Sequence, residues 1–166
     1  MDKITDKVYL GDCAGAEKEE LLKQNNIKRV LSCMGNLSPV YKDKSIVQKK
    51  IEISDFPRAN IIQYFIDSIK FIEESEKVFV HCFAGVSRSA TLVIAYFMWK
   101  NKIPYKKSFE LVNEHRTICP NIGFKQQLLI LQKKLEEANY DLDKIDLSDV
   151  VWPPKEGINY NFDDLN

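Results

Sequence analysis

Lys77-Val78-Phe79-Val80-His81-Cys82-Phe83-Ala84-Gly85-Val86-Ser87-Arg88-Ser89 is the stretch that decides the fold. Val78 to Val80 is an apolar run of strand length, and Ala90 to Trp99 beyond it reads as a helix. A strand that turns through a tight loop into a helix start aims several backbone N–H groups at one point and builds an anion site. A cysteine attacks well only as a thiolate, and a helix N-terminus or a nearby guanidinium lowers its pKa from about 8.5. Arg88, on the first helical turn, has the planar fork that grips two oxygens of a phosphate. A lone cysteine after an apolar strand is most often buried filler. His81, Arg88 and Ser89 argue for chemistry instead.

Working outward, strands and helices alternate. Lys7 to Leu10 reads as a short strand, Ala14 to Gln24 as a helix with Leu21 and Leu22 inward, and Arg29 to Cys33 and Val47 to Ile53 as strands. Asn60 with Gln63 three positions on suggests a capping box opening a helix. Ile61, Ile62, Phe65, Ile66, Ile69 and Ile72 follow it at helical spacing. Two further helices are expected, about Tyr105 to His115 and Phe124 to Ala138. This order predicts one α/β domain with a mostly parallel sheet between helical layers. In such a sheet ligands bind at the carboxyl ends of the strands. Cys82 ends one strand and Asp55 follows another, so both belong at that edge.

The composition is that of an ordinary globular domain, with 24 basic and 24 acidic residues. The longest apolar stretch, Ala90 to Trp99, is far short of a bilayer span of about 20 residues. Met1-Asp2-Lys3-Ile4 lacks a signal-peptide core, and neither terminus carries a lipidation box. Four cysteines without close pairing suit a reducing compartment. The expectation is a soluble cytoplasmic domain, with the nucleus open. From Asn139 onward seven acids face two lysines, a net of −5 that leaves the body at +5. A mildly basic body favours anionic substrates, although scattered lysines also serve solubility alone.

Val8-Tyr9-Leu10-Gly11, Asp55 before Pro57, Ala95-Tyr96-Phe97-Met98, and Arg116 to Phe124 with Gln127-Leu128 accompany the loop, in that order around it. Together they resemble the cysteine-based protein phosphatases, whose signature is His-Cys-x5-Arg followed by Ser or Thr. Within that superfamily the chain is most similar to the small, atypical dual-specificity protein phosphatases. The resemblance implies a central mixed sheet flanked by helices, with a catalytic domain over 1–138 and an acidic extension over 139–166. It implies that Cys82 attacks phosphorus and forms a phosphocysteine. Arg88 and the amides of Phe83, Ala84, Gly85, Val86, Ser87 and Arg88 would hold the phosphoryl oxygens. Asp55, twenty-seven residues before Cys82, would protonate the leaving oxygen. Ser89 would donate to the departing sulfur, His81 would order the strand end and help keep the thiol ionised, and Asn121 would brace the site's edge while capping the last helix. No metal or cofactor is implied.

The same resemblance points to phosphotyrosine and phosphoserine or phosphothreonine in protein partners, without nucleic acid or membrane, and leaves oligomeric state open. The loop lacks the lysines of phosphoinositide-cleaving relatives, and Ser87-Arg88-Ser89-Ala90 stands where tyrosine-specific enzymes have Gly-Arg-Thr-Gly. The alternatives are a non-protein phosphate (an RNA 5′ end, a lipid or a glycan) or a phosphate-binding pseudophosphatase. His115 reads as a helix-end residue, and Asp141, Asp143 and Asp146 as solvated acids. Cys33, also at a strand end, reads first as a small buried hydrophobe. It could also resolve an oxidised Cys82 as a disulfide. The tail carries Val150, Val151, Trp152, Ile158, Tyr160, Phe162 and Leu165, too apolar for a purely solvating segment. It is expected to fold back on the body with Trp152 as its anchor, and partial screening of the active-site face would be a further consequence.

Overall fold

The computed structural model describes residues 1–165. Its strands are β1 (Asp2–Lys3), β2 (Val8–Gly11), β3 (Arg29–Ser32), β4 (Val47–Lys50) and β5 (Val78–His81). They form one sheet in the order β1-β2-β5-β3-β4. β2, β5, β3 and β4 run parallel and only β1 is antiparallel, so the sheet is mixed and mostly parallel. Side chains alternate across a strand, and the apolar residues divide accordingly. Val8, Leu10, Leu31, Val78 and Val80 enter the larger core, while Tyr9, Val30 and Phe79 enter a smaller one on the opposite face. Sheet burial on both faces is what near-continuous apolar strands require.

Short helices α1 (Cys13–Ala16) and α2 (Glu19–Gln24) cover the smaller core. The larger core is filled by α3 (Phe65–Glu73), α4 (Arg88–Lys100), α5 (Tyr105–His115) and α6 (Ile122–Glu137). α4 is buried almost all round, from Ser89 to Met98, which explains why its sequence shows little amphipathic contrast. This central helix fixes the loop that precedes it.

Four expectations change. The helix foreseen over Ala14 to Gln24 is two helices, because Lys18 leaves helical geometry at φ −90° and ψ 84°. Leu22 alone of its leucine pair is buried. The strand expected to reach Ile53 stops at Lys50, where its ladder with β3 runs out; Ile51 N–H makes the closing bond to Ser32 O. Asn60 caps nothing. Gln127 of α6 is fully buried, and its Oε1 accepts from the Ile61 and Ile62 amides at 2.9 and 3.0 Å, so α3 is entered through a 3-10 turn over Ile62–Tyr64. The two-residue β1 was not anticipated, being too short to leave a pattern.

The C-terminal segment lies along the body. Tyr140, Leu142, Ile145, Leu147, Val150, Trp152, Tyr160, Phe162 and Leu165 pack against the larger core, each half-buried. Lys134–Asp149 and Lys70–Asp143 are ion pairs across the same seam. Exposed pairs contribute about 0–1 kcal/mol each, so apolar contact rather than charge holds the segment down.

Candidate active site

Cys82 leaves the end of β5 and is 2 % exposed. Its Sγ accepts from Gly85 N–H and from Ser89 Oγ–H, each at 3.2 Å. The loop curls around this sulfur because every one of its carbonyls is held from outside. Cys82 O accepts from His81 Nδ1 at 3.1 Å, Phe83 O from Cys13 N at 3.0 Å, and Val86 O from Cys119 N at 2.8 Å. Ala84 O and Gly85 O accept from Arg116 Nη2 and Nε at 3.0 and 2.8 Å. Ser87 O accepts from Thr91 N and Oγ1. In a trans peptide the N–H points opposite to the preceding C=O. The six N–H groups of Phe83 to Arg88 therefore turn inward, toward the concave side where Gly85 N–H meets Sγ. Gly85 has φ +70°, and a β-carbon there would stand 2.4 Å from Gly11 O. Glycine alone fits.

Arg88 completes the cradle. Its Nη1 donates to Cys33 O at 3.3 Å and Ile53 O at 3.2 Å, anchoring the guanidinium between the segments that follow β3 and β4. Its Nε is buried and has no partner among the described residues. A buried unpaired donor costs roughly 1–3 kcal/mol. An oxyanion seated in the loop would satisfy it.

Asp55 is exposed at the rim and reaches the loop through Ser87. Its Oδ1 accepts from Ser87 Oγ at 2.6 Å and from Asn121 Nδ2 at 2.8 Å. Asn121 N–H in turn donates to Ser87 Oγ at 3.1 Å, and Asn121 Oδ1 caps α6 by accepting from Phe124 N–H at 2.9 Å. One asparagine thus caps a helix and holds the carboxylate. Ser87 contributes its amide to the cradle but spends its hydroxyl on Asp55.

His81 is wholly buried, and burial pushes its imidazole below the usual histidine range. Nδ1–H must be the donor to the Cys82 carbonyl, which leaves Nε2 to accept from Ser32 Oγ–H at 2.7 Å. Gln48 Nε2 supplies Ser32 Oγ from beyond, at 2.9 Å. Burial disfavours the charged ring, and Nδ1 holds the Cys82 carbonyl at the end of the strand. Cys33 lies beside Cys82, since Ser32 pairs with His81 and Cys33 N–H donates to His81 O. Burial, followed by the neighbouring Cys82, pushes the Cys33 thiol up.

Arg116 was a landmark in the sequence without a role. Its Nη1 is locked to Asp2 Oδ2 at 2.7 Å, so the short β1 strand steadies the arginine that holds two loop carbonyls. Pairs more than 100 residues apart leave no local signal. Around the mouth stand Phe56, Phe83 and Ile122, exposed by 66 %, 68 % and 53 % and adjacent in sequence to Asp55, Cys82 and Asn121.

Residues 8–134 match the family described as "Dual specificity phosphatase, catalytic domain". The chain belongs to that family. Among curated relatives it is 36 % identical over 138 residues to the protein-tyrosine-phosphatase MKP1 of Arabidopsis thaliana, covering 80 % of this chain and 18 % of that one. It is 36 % identical to dual specificity protein phosphatase 1B of the same plant, covering 82 % and 84 %. The chain thus spans under a fifth of the large relative and most of the small one. Among solved structures, DUSP15 superimposes with a TM-score of 0.71 at 31 % identity, over 81 % of this chain and 94 % of that one. A human tyrosine phosphatase-like serine/threonine/tyrosine-interacting protein does so with a TM-score of 0.74 at 31 % identity, over 85 % and 98 %.

Proposed function

We propose that this dual-specificity phosphatase domain hydrolyses phosphotyrosine and phosphoserine or phosphothreonine in proteins through a phosphocysteine intermediate. The observation that carries the reading is the cradle: a sulfur that accepts from Gly85 N–H and Ser89 Oγ–H, loop carbonyls held by donors elsewhere, and the unpaired Nε of Arg88. Cys82 thiolate attacks phosphorus in line, forming S–P as P–O breaks. Asp55, protonated, gives its proton to the departing oxygen. The amides and Arg88 carry the charge that spreads over the equatorial oxygens. In the second step water attacks the phosphocysteine, Asp55 carboxylate takes a proton from it, and Ser89 Oγ–H donates to the leaving sulfur. Inorganic phosphate departs and the thiolate is restored.

The exposed apolar rim and the lysine-free loop favour a peptide over an inositol phosphate or an RNA 5′ end. Phosphopeptide, inositol phosphate and triphosphorylated RNA, tested as a panel, separate these substrates; preference for either non-peptide substrate overturns the protein assignment. Cys82→Ser should abolish turnover while phosphate still binds. Asp55→Asn should lower the rate on a phosphopeptide by about 10²–10⁴-fold, and far less on an aryl phosphate whose leaving group needs no proton. Equal losses on the two substrates would remove Asp55 from the acid's role.

A further inference from the structure

We infer that Trp152 of the C-terminal segment is a positioning residue for the reaction: its indole N–H holds the loop that carries Asp55. The inference rests on Asp55 acting as the acid. The loop 54–58 is exposed along its whole length, and a single internal hydrogen bond, Ala59 N–H to Phe56 O at 2.9 Å, turns it back toward α3. Such a loop cannot fix a carboxylate by its own packing. Contacts from outside do so. Ser87 and Asn121 hold the Asp55 carboxylate, as described above. Gly123 of α6 lies so close beneath Pro57 that a β-carbon there would stand 1.9 Å from Pro57 O. Trp152 Nε1–H then donates to that same Pro57 carbonyl at 2.9 Å, ninety-five residues away in sequence.

The indole is itself placed by an aromatic set from its own segment. Trp152 meets Phe162 edge-on with centroids 6.5 Å apart, and Phe162 lies 6.0 Å from Tyr160. Tyr160 OH and the Val151 backbone exchange bonds at 3.3 and 3.4 Å, closing the segment on itself beside the tryptophan. Trp152 lies beyond residue 134, outside the part matched by the family. A segment the catalytic domain does not define therefore reaches the backbone two residues from its acid. Misplacing a reacting group by about 1 Å can cost 10²-fold in rate. Loss of one restraint among several should cost less.

The test compares Trp152→Phe with the unaltered chain on a phosphopeptide and on an aryl phosphate with a strongly acidic phenol. Phenylalanine keeps an aromatic ring against Phe162 and removes the donor. The expected result is a loss in kcat of about 3–20-fold on the phosphopeptide, less than twofold on the activated aryl phosphate, and a weakened alkaline limb for the peptide alone. Amide hydrogen exchange across 55–61 should quicken while that of β5 does not change. Equal losses on both substrates, or no loss on either, would overturn the inference. Asp55→Asn run alongside separates the two claims. If it discriminates between the substrates and Trp152→Phe does not, the positioning role alone is lost. If Asp55→Asn fails to discriminate, the acid assignment falls and this inference falls with it.

Discussion

Gly123→Ala is the sharpest single perturbation of the acid loop, because its size follows from one distance. The new β-carbon would lie 1.9 Å from Pro57 O, where real β-carbons essentially never approach within 3.0 Å, so the two must part by about 1.1 Å. The helix end is the firmer side: Phe124 is fully buried, Asn121 caps α6, and Asn121 N–H is tied to Ser87. The exposed loop yields instead. A shift of that size would stretch the 2.6 and 2.8 Å bonds at Asp55 beyond hydrogen-bonding reach and draw Pro57 O off Trp152. Phosphopeptide turnover should fall by about 10–10²-fold, and turnover of an activated aryl phosphate far less. Overpacking of this kind typically costs about 1–3 kcal/mol of stability. For a domain of this size that lowers Tm by roughly 2–12 °C. Steady-state kinetics on both substrates with a parallel thermal melt measure all three quantities. A variant with unchanged Tm and unchanged peptide turnover would refute the close approach. A variant that loses both substrates equally would show that the loop's position does not act through the acid.

Two further outcomes follow from the sheet. Mild hydrogen peroxide should oxidise Cys82 to a sulfenic acid, which Cys33 thiol attacks with loss of water to form a Cys33–Cys82 disulfide. Neighbouring strands lie about 4.8 Å apart, within the span a disulfide needs. Peptide mass mapping should find that bridge, dithiothreitol should restore activity, and Cys33→Ser should make inactivation largely irreversible; peroxide-treated protein with no bridge would sink the idea. His81 concerns pH. Its folded pKa is lowered by burial, so the unfolded chain binds the extra proton first, and stability is lost as pH falls below about 6.5 toward the folded value. Urea unfolding from pH 7 to 5 should show that loss, reduced in His81→Gln, and an identical slope in the variant would exclude His81 as its source.

The sequence by itself determined the order of elements and the reactive stretch. An apolar strand, a cysteine, a loop without bulky charge and an arginine on a helix start are all encoded within thirteen adjacent residues, from Lys77 to Ser89. Local chemistry therefore sufficed to single out Cys82 and the cap at Asn121, whereas the part given to Ser89 came with the family resemblance. Tertiary structure decided what local patterns cannot carry. Arg116 holds the Ala84 and Gly85 carbonyls with Asp2 steadying it from the far end of the chain, and Gln127 rather than Asn60 takes the amides at the entrance to α3. The charged form of His81 is disfavoured because both faces of the sheet are covered, a fact of burial and not of sequence neighbourhood. Trp152 was legible as an apolar anchor, since indoles seek burial wherever they stand. Its hydrogen bond to Pro57 was not, because a bond across ninety-five residues exists only once the chain has closed on itself.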